Sequence, residues 1–281
     1  MIRSVMLPLD FTRDSGLLLH FCSGLADLGV RRVVVCHVID ATGLEGPVIA
    51  AKVDQVRLEM RSVVAPLIEA GLDVEVRLPT GALDRELVAV AAESRVDAIV
   101  CATSGKGPAD QVLLGSISEH LVRTVGVPSL TVRNELLRNS ADPSSLARRF
   151  AKMLLVPTDF SGTAARAFDC VLALPPKAVG TIRLLHVLVH SDDAARVARD
   201  EAGASYELRD IAAVAKEHGL SAVPVLGHGA PERAILAEID ESRITGVIIG
   251  SHGRSPFEEA LLGSVSMTLL RQASCPVMIV P

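Results

Sequence analysis

The sequence has few aromatic residues, with six Phe, one Tyr and no Trp among 281 residues. The core must therefore be aliphatic, and stacking platforms for single-stranded nucleic acid are nearly excluded. Positive charge is not in excess either, because 28 Lys and Arg stand against 33 Asp and Glu, for a net charge of −5. Proteins that bind a phosphate backbone are normally basic, so we expect no nucleic-acid partner.

Long apolar runs and paired cysteines are also missing. No run reaches the roughly 18 to 20 residues that span a bilayer, and Met1 to Asp10 lacks the charged and apolar regions of a signal peptide. The five cysteines form no Cys-x-x-Cys pair and lie mostly within apolar runs. We therefore expect no membrane partner, a cytoplasmic location, and reduced thiols that serve as small core residues.

The sequence does contain an internal repeat, which decides how the rest of it is interpreted. The repeated pairs are Asp10 with Asp159, His37 with His186, Gly81 with Gly229, Gly115 with Gly263, and Pro128 with Pro276. The offset between copies changes by a single residue along the chain. We therefore predict one domain at 1–135, a linker at 136–150 whose polar residues favour turns, and a second domain at 151–281.

Each copy alternates short aliphatic runs with segments of helical spacing, which is typical of a parallel sheet covered by helices. The pattern predicts a doubly wound α/β fold with five strands in each copy. The predicted strands lie near 2–9, 33–39, 72–78, 97–102 and 128–133 in the first copy, and near 153–158, 180–188, 221–226, 245–250 and 276–280 in the second. Such sheets bind ligands beyond the carboxyl ends of their strands, so functional residues are expected there.

A glycine-containing loop follows the fourth predicted strand of the second copy. The apolar run ends in Gly250–Gly253, and after nine further residues Gly263 and Ser264 open a helical pattern. Glycine permits close approach of the backbone to a ligand, and the N–H groups of a helix N-terminus favour an anion. The arrangement suits a polyphosphate, although the spacing of a Walker A loop is absent.

These motifs resemble those of the universal stress proteins. The nucleotide-binding branch of that family carries Gly-x2-Gly-x9-Gly-[Ser/Thr], which Gly250, Gly253, Gly263 and Ser264 match. The Pro-x-Asp-Phe elements after the first strand of each copy, the His-Val pairs of the second strands, and the closing strand 276–280 are similar as well. The resemblance covers nearly the whole chain apart from the linker.

The resemblance implies two domains like those of the adenine nucleotide alpha hydrolases, packed as a pseudo-dimer through their closing strands, with a homodimer of the whole chain possible. It also implies an adenine-nucleotide site for ATP, or for ADP or AMP, with Mg²⁺ left open. In nucleotide-binding relatives the first-strand Asp lies near the ribose and base, the residue after the second-strand His offers its backbone to the adenine, and the glycine loop holds the phosphates. The matching residues of the second copy are Pro157, Thr158, Asp159, Val187, Gly250, Ser251, His252, Gly253, Arg254, Gly263, Ser264, Val265 and Ser266. The weaker matches of the first copy are Asp10, Val38, Gly105, Gly115 and Ser116.

The first copy departs from the glycine pattern because Ala102 stands where the second copy has Gly250. If this position needs a positive φ or close approach to a ligand, the methyl group costs about 1 kcal/mol or more. We therefore expect the first copy to bind nucleotide more weakly or not at all, although Lys106 and Gly107 could still contact a phosphate.

Several motif residues also fit purely structural roles. Asp10 and Asp159 could begin Asx-turns, Ser116 fits a capping box, Ser264 fits a plain helix cap, and the glycines fit tight turns. His186 is expected to be structural, as is His190.

No Ser-His-Asp or Cys-His constellation can be assembled from the sequence, so no catalytic residues are predicted. The sequence favours a nucleotide-binding protein of stress response and signalling. A nucleotide-free scaffold and a slow ATP hydrolase are the alternatives.

Overall fold

The computed structural model describes residues 2–103, 121, 124–189, 193–253 and 262–281. These residues divide into two compact units, with the boundary between Arg148 and Arg149. All ten predicted strands are present, five in each unit, and each pairs in parallel with its neighbours inside the unit. The predicted α/β class with parallel sheets is therefore confirmed.

The first unit has the strand order β3-β2-β1-β4-β5. Its strands are β1 (Ser4–Pro8), β2 (Arg32–Cys36), β3 (Asp73–Arg77), β4 (Ala98–Thr103) and β5 (Ser129–Arg133). Its helices in the described residues are α1 (Arg13–Ser23), α2 (Gly46–Val63), α3 (Ala65–Glu69), α4 (Leu83–Glu93), α5 (Asn134–Asn139) and α6 (Pro143–Arg149). A 3-10 turn at Gly24–Leu28 follows α1.

The second unit repeats this order as β8-β7-β6-β9-β10. Its strands are β6 (Met153–Pro157), β7 (Thr181–Leu188), β8 (Ser221–His228), β9 (Gly246–Gly250) and β10 (Val277–Val280). Its helices in the described residues are α7 (Gly162–Leu172), α8 (Ala194–Glu217), α9 (Pro231–Glu241) and α10 (Ser264–Gln272).

The central strands are buried on both faces, which is why they read as unbroken aliphatic runs rather than as alternating patterns. Leu154 and Leu155 on β6 and Val247 and Ile248 on β9 are fully buried. Helices α1 and α7 begin where a hydroxyl satisfies a free N–H group. Ser161 accepts a hydrogen bond from the Ala164 N–H at the start of α7, and Thr12 accepts one from Ser15 at the start of α1.

The stretch predicted as a linker is largely helical and packs on the first unit. Leu137 in α5 and Ala147 in α6 are fully buried, although polar residues dominate the surrounding sequence. Arg138 donates two hydrogen bonds to the Asp14 carboxylate on α1, one of them 2.8 Å long. A Cβ atom on Gly24 would lie 2.1 Å from the Ser144 carbonyl oxygen, so these backbones are in close contact. Among the described residues, no helix has the length and apolar character needed to cross a membrane.

Candidate functional site

A cavity of about 310 Å³ opens at the carboxyl ends of β6, β7 and β9. Strands β6 and β9 are neighbours in the sheet, with Leu155 opposite Val247. The chain reverses its winding direction between these two strands, and doubly wound sheets bind ligands at such switch points. The volume is at the lower end of the range for small-molecule sites.

Most residues expected at a nucleotide site in the second copy line this cavity. They are Pro157, Thr158, Asp159, Val187, Gly250, His252, Gly253, Gly263, Ser264, Val265 and Ser266. Ser251 is not among the lining residues: its N–H donates to the Val280 carbonyl at 2.7 Å and its hydroxyl contacts His252 Nδ1 at 2.9 Å. Arg254 lies outside the described residues.

Asp159 forms a turn and also faces the cavity. Its Oδ1 accepts the Ser161 N–H at 3.0 Å, which is the Asx-turn considered above. The intervening Phe160 has a φ of 61°, a left-handed conformation that is rare for a bulky side chain. The Asp159 Oδ2 atom approaches Gly253 so closely that a Cβ there would lie 2.7 Å away. The turn therefore fixes the carboxylate against the glycine loop.

His186 lines the cavity as well, although a structural role was expected for it. Its Nδ1 lies 2.8 Å from the Thr158 carbonyl oxygen, which can only accept, so Nδ1 carries a proton. In the neutral form of the ring, Nε2 is then an acceptor. Phe160 stacks on the ring with centroids 4.5 Å apart. The aliphatic part of the wall, also missed, comes from Ala164, Leu185, Pro231, Ile235 and Ile249.

The glycines of the loop are required by close packing rather than by backbone conformation. Gly250 and Gly253 are both described, and neither has a positive φ. A Cβ on Gly250 would lie 2.8 Å from Thr163 Cβ and 2.9 Å from its carbonyl carbon. A Cβ on Gly263 would make only ordinary contacts, from 3.4 Å. The first two glycines therefore let α7 and Asp159 approach the end of β9.

The N-terminus of α10 forms the remaining wall. Gly263 occupies the N-cap position, and no side chain of the described residues caps the helix. Ser264 is the first helical residue and does not cap it, because its hydroxyl donates to Glu232 Oε1 at 2.9 Å. The buried Ser266 hydroxyl donates to the Gly250 carbonyl at 2.8 Å. The first N–H groups of a helix lack intrahelical acceptors, so this end favours an anion.

The first unit repeats the turn and the second-strand histidine among its described residues. Asp10 Oδ1 accepts the Thr12 N–H at 3.1 Å, and Phe11 has a φ of 58°. His37 Nδ1 donates to the Leu9 carbonyl at 2.7 Å, and the half-buried Val38 follows it. The predicted residues Gly105, Gly115 and Ser116 lie outside the described residues. The Asp-Phe-His arrangement is thus part of the repeated fold.

Metal ligands do not cluster in the part of the chain that the structure describes, since no group of three or more His, Cys, Asp or Glu side chains could hold an ion there. The second-unit cavity instead combines an aliphatic slot, a carboxylate at one side and a helix N-terminus at another. Chemically, this arrangement can accept a planar apolar ring joined to a polar and an anionic group.

The sequence profile of the universal stress protein family matches the chain twice, at residues 1–133 and 151–281. The chain belongs to the universal stress protein family. It carries two copies of the family domain, consistent with the repeat in the sequence.

Individual relatives agree with this assignment. The universal stress protein YxiE of Bacillus subtilis is 30% identical over 148 residues, covering 47% of this chain and 99% of YxiE. The universal stress protein MJ0577 of Methanocaldococcus jannaschii is 26% identical over 152 residues, covering 46% of this chain and 94% of that protein. The crystal structure of a universal stress protein from Archaeoglobus fulgidus covers 99% of this chain and 95% of its own, at 24% identity and a TM-score of 0.74. That structure supports the fold.

Proposed function

We propose that the second unit binds an adenine nucleotide, with ATP as the first ligand to test, and that the protein acts as a nucleotide-responsive signalling protein. The observation that carries the proposal is the cavity at the switch point of the second sheet, lined by the motif Gly250, Gly253, Gly263 and Ser264. The strand-one residue Asp159 and the strand-two residue Val187 line the same cavity. Residues that resemble a nucleotide-binding motif are spread over more than one hundred positions of the sequence and line one cavity.

The shape and chemistry of the cavity support a nucleotide over other small molecules. Leu185, Val187 and Ile235 supply an apolar wall for a purine. The exposed N–H groups at the start of α10 favour phosphate, and Asp159 lies where it can accept hydrogen bonds from ribose hydroxyls. Mg²⁺ with the phosphates remains part of the proposal, its ligands then coming mainly from the nucleotide and water.

Calorimetric titration of ATP, and then of ADP and AMP, into the full chain tests the proposal. We expect one saturable site per chain. Gly253→Ala should lower the affinity at least tenfold, because the added Cβ lies 2.7 Å from Asp159 Oδ2 and displaces the carboxylate. Absence of binding heat at several temperatures would favour the nucleotide-free scaffold.

Gly203→Ala is the matched control for this substitution. It makes the same chemical change on α8, where an added Cβ meets nothing within 4 Å, so the affinity for ATP should not change. Phosphate release measured in the same samples distinguishes a sensor from a slow hydrolase, because only a hydrolase turns over ATP repeatedly.

Pairing of the two units through their closing strands, residues 128–133 and 276–280, is the second part of the proposal. The short connection raises the effective concentration of one unit for the other. A protease site inserted between Asn139 and Pro143 would test this pairing, since paired halves co-elute after cleavage and independent halves separate. Light scattering of the intact chain tests whether it forms a homodimer.

A further inference from the structure

Two helices of the second unit, α9 and α10, begin side by side at the cavity. Helix α9 begins at Pro231 and α10 begins at Ser264, and both residues line the cavity. The Ser264 hydroxyl donates to Glu232 Oε1 at 2.9 Å. Near the other end of the two helices, the Ser274 hydroxyl donates to Asp240 Oδ1 at 2.7 Å. The helices therefore run in the same direction, with their N-termini together.

Glu232 places a carboxylate at this shared end. It is the second residue of α9 and is half-buried, whereas the first turn of α10 has no acidic residue of its own. The free N–H groups of a helix N-terminus stabilise a carboxylate in this position. Among the described residues, no Lys or Arg forms an ion pair with Glu232. None of them therefore neutralises its negative charge.

The hydrogen bond to Glu232 occupies the hydroxyl of Ser264. Ser264 is exposed and is the first residue of α10, a position from which a hydroxyl can donate to an anion at the helix end. A serine hydroxyl has a single proton, so it cannot donate to a phosphate while it donates to a carboxylate. A phosphate at this place must therefore compete with Glu232 for the same donor.

The charges around the cavity act in the same direction. Its lining in the described residues includes the carboxylate of Asp159 and no Lys or Arg. A phosphate chain at the start of α10 is therefore close to the Glu232 charge, without a basic side chain from that lining to offset it. The repulsion grows with the charge of the ligand, from uncharged adenosine through AMP to ATP. Glu232 can thus separate adenine compounds by their number of phosphates.

We propose that Glu232 is a specificity-determining residue of the second-unit cavity, and that it lowers the affinity for ATP relative to AMP and adenosine. This inference rests on the proposed binding of an adenine nucleotide there. The carboxylate withholds the Ser264 hydroxyl and repels the phosphate chain, whereas the purine and the ribose carry no charge that it could repel. Binding by the second unit then depends on the phosphorylation state of the nucleotide as well as on its base.

Calorimetric titration of adenosine, AMP and ATP into the full wild-type chain and into Glu232→Gln, in magnesium-free buffer, tests the inference. Glutamine has nearly the same size, keeps an oxygen that accepts from Ser264 and removes the charge. At about 0.15 M salt the affinity for ATP should rise about threefold to fivefold in the variant, with a smaller rise for AMP and none for adenosine. The rise for ATP should shrink at about 1 M salt, where charges are screened within a few ångströms.

Glu241→Gln is the matched control. It removes the same charge from the last residue of α9, roughly 13 Å further along the helix and beyond the screening length at about 0.15 M salt. The affinities for all three ligands should therefore equal those of the wild type.

Failure of the inference and failure of the proposed function give different results. If the wild type binds ATP and the affinities of Glu232→Gln are unchanged, or rise equally for all three ligands, the inference is overturned and nucleotide binding stands. A loss of ATP affinity in the variant overturns it as well, because the Glu232 charge would then favour the phosphates. If neither protein binds any of the three ligands, both the inference and the proposed function fail.

Discussion

The substitution Gly250→Ala tests whether packing at the end of β9 positions the site. The added Cβ would lie 2.8 Å from Thr163 Cβ and Oγ1 and 2.9 Å from the Thr163 carbonyl carbon. Carbon atoms prefer separations of about 3.5–4.0 Å, so α7 must move away from the strand. Thr163 resists this movement because its hydroxyl is bonded to the His252 carbonyl.

The expected cost follows from these contacts. Overpacking of this kind costs about 1–3 kcal/mol. Replacing a glycine restricts the unfolded chain and returns about 0.4–1 kcal/mol. We therefore expect a net loss of about 1–2 kcal/mol in the free energy of unfolding, which corresponds to a drop of about 2–8 °C in Tm.

Urea denaturation and thermal melts followed by circular dichroism measure this loss. Gly203→Ala provides the comparison, because an exposed glycine within a helix is destabilising and the substitution should raise stability by about 0.5–1 kcal/mol. If Gly250→Ala is as stable as the wild type, the close contact between α7 and β9 does not exist as described and the reasoning is refuted. The first unit carries Ala102 at this position, and there Asp14 of α1 stands in place of Thr163.

Three further predictions concern other parts of the chain. Ser266→Ala should lower the free energy of unfolding, measured by urea denaturation, by about 1–2 kcal/mol, because the Gly250 carbonyl loses a buried donor. Ser264→Ala should lower it by under about 0.5 kcal/mol, since Ser264 is exposed. Equal losses would contradict the different roles given to the two hydroxyls. The Arg32 guanidinium that donates to Glu75, with Arg77 beside it, holds the pKa of Glu75 below its ordinary value in the folded state. The stabilisation by this ion pair is therefore complete near neutral pH and is lost as the pH falls through the folded-state pKa of Glu75. The difference in Tm between wild type and Glu75→Gln should be largest at pH 7 and shrink below about pH 4.5. A difference in Tm that stays constant with pH would refute this prediction. Burial raises the pKa of Cys36 and Cys275 to about 12. Iodoacetamide at pH 8 should therefore modify the half-buried Cys170 first, which peptide mass spectrometry can measure. Early modification of Cys275 would contradict its burial.

The strands could be predicted from the sequence because the central strands of a parallel sheet are buried on both faces. The burial of a run such as Val247–Ile249 can therefore be predicted from its composition alone. The repeat showed the same succession of strands along the chain twice, whereas their order in the sheet was not predicted. The prediction was less informative for residues 136–150, where Leu137 and Ala147 are fully buried although polar residues surround them in the sequence. A short helix that packs by one or two residues leaves little trace in composition.

The motif residues of the site could also be named in advance, but their roles could not. Gly250 and Gly253 are required by neighbours that are distant in the sequence, Thr163 and Asp159. The position of His186 depends on a hydrogen bond to the Thr158 carbonyl, and its stacking partner Phe160 adopts a left-handed backbone conformation that no local propensity predicts. These features arise only when the ends of β6, β7 and β9 are brought together.

Hydrogen exchange of the full chain with and without saturating ATP tests the central proposal most directly. Because bound nucleotide would cover the ends of β6 and β7 and the start of α10, we predict slower exchange at residues 157–159, 185–187 and 263–266, with the corresponding residues 8–10 and 36–38 of the first unit unchanged. Protection confined to the first unit, or no change in either unit at saturating ATP, would contradict a nucleotide site in the second.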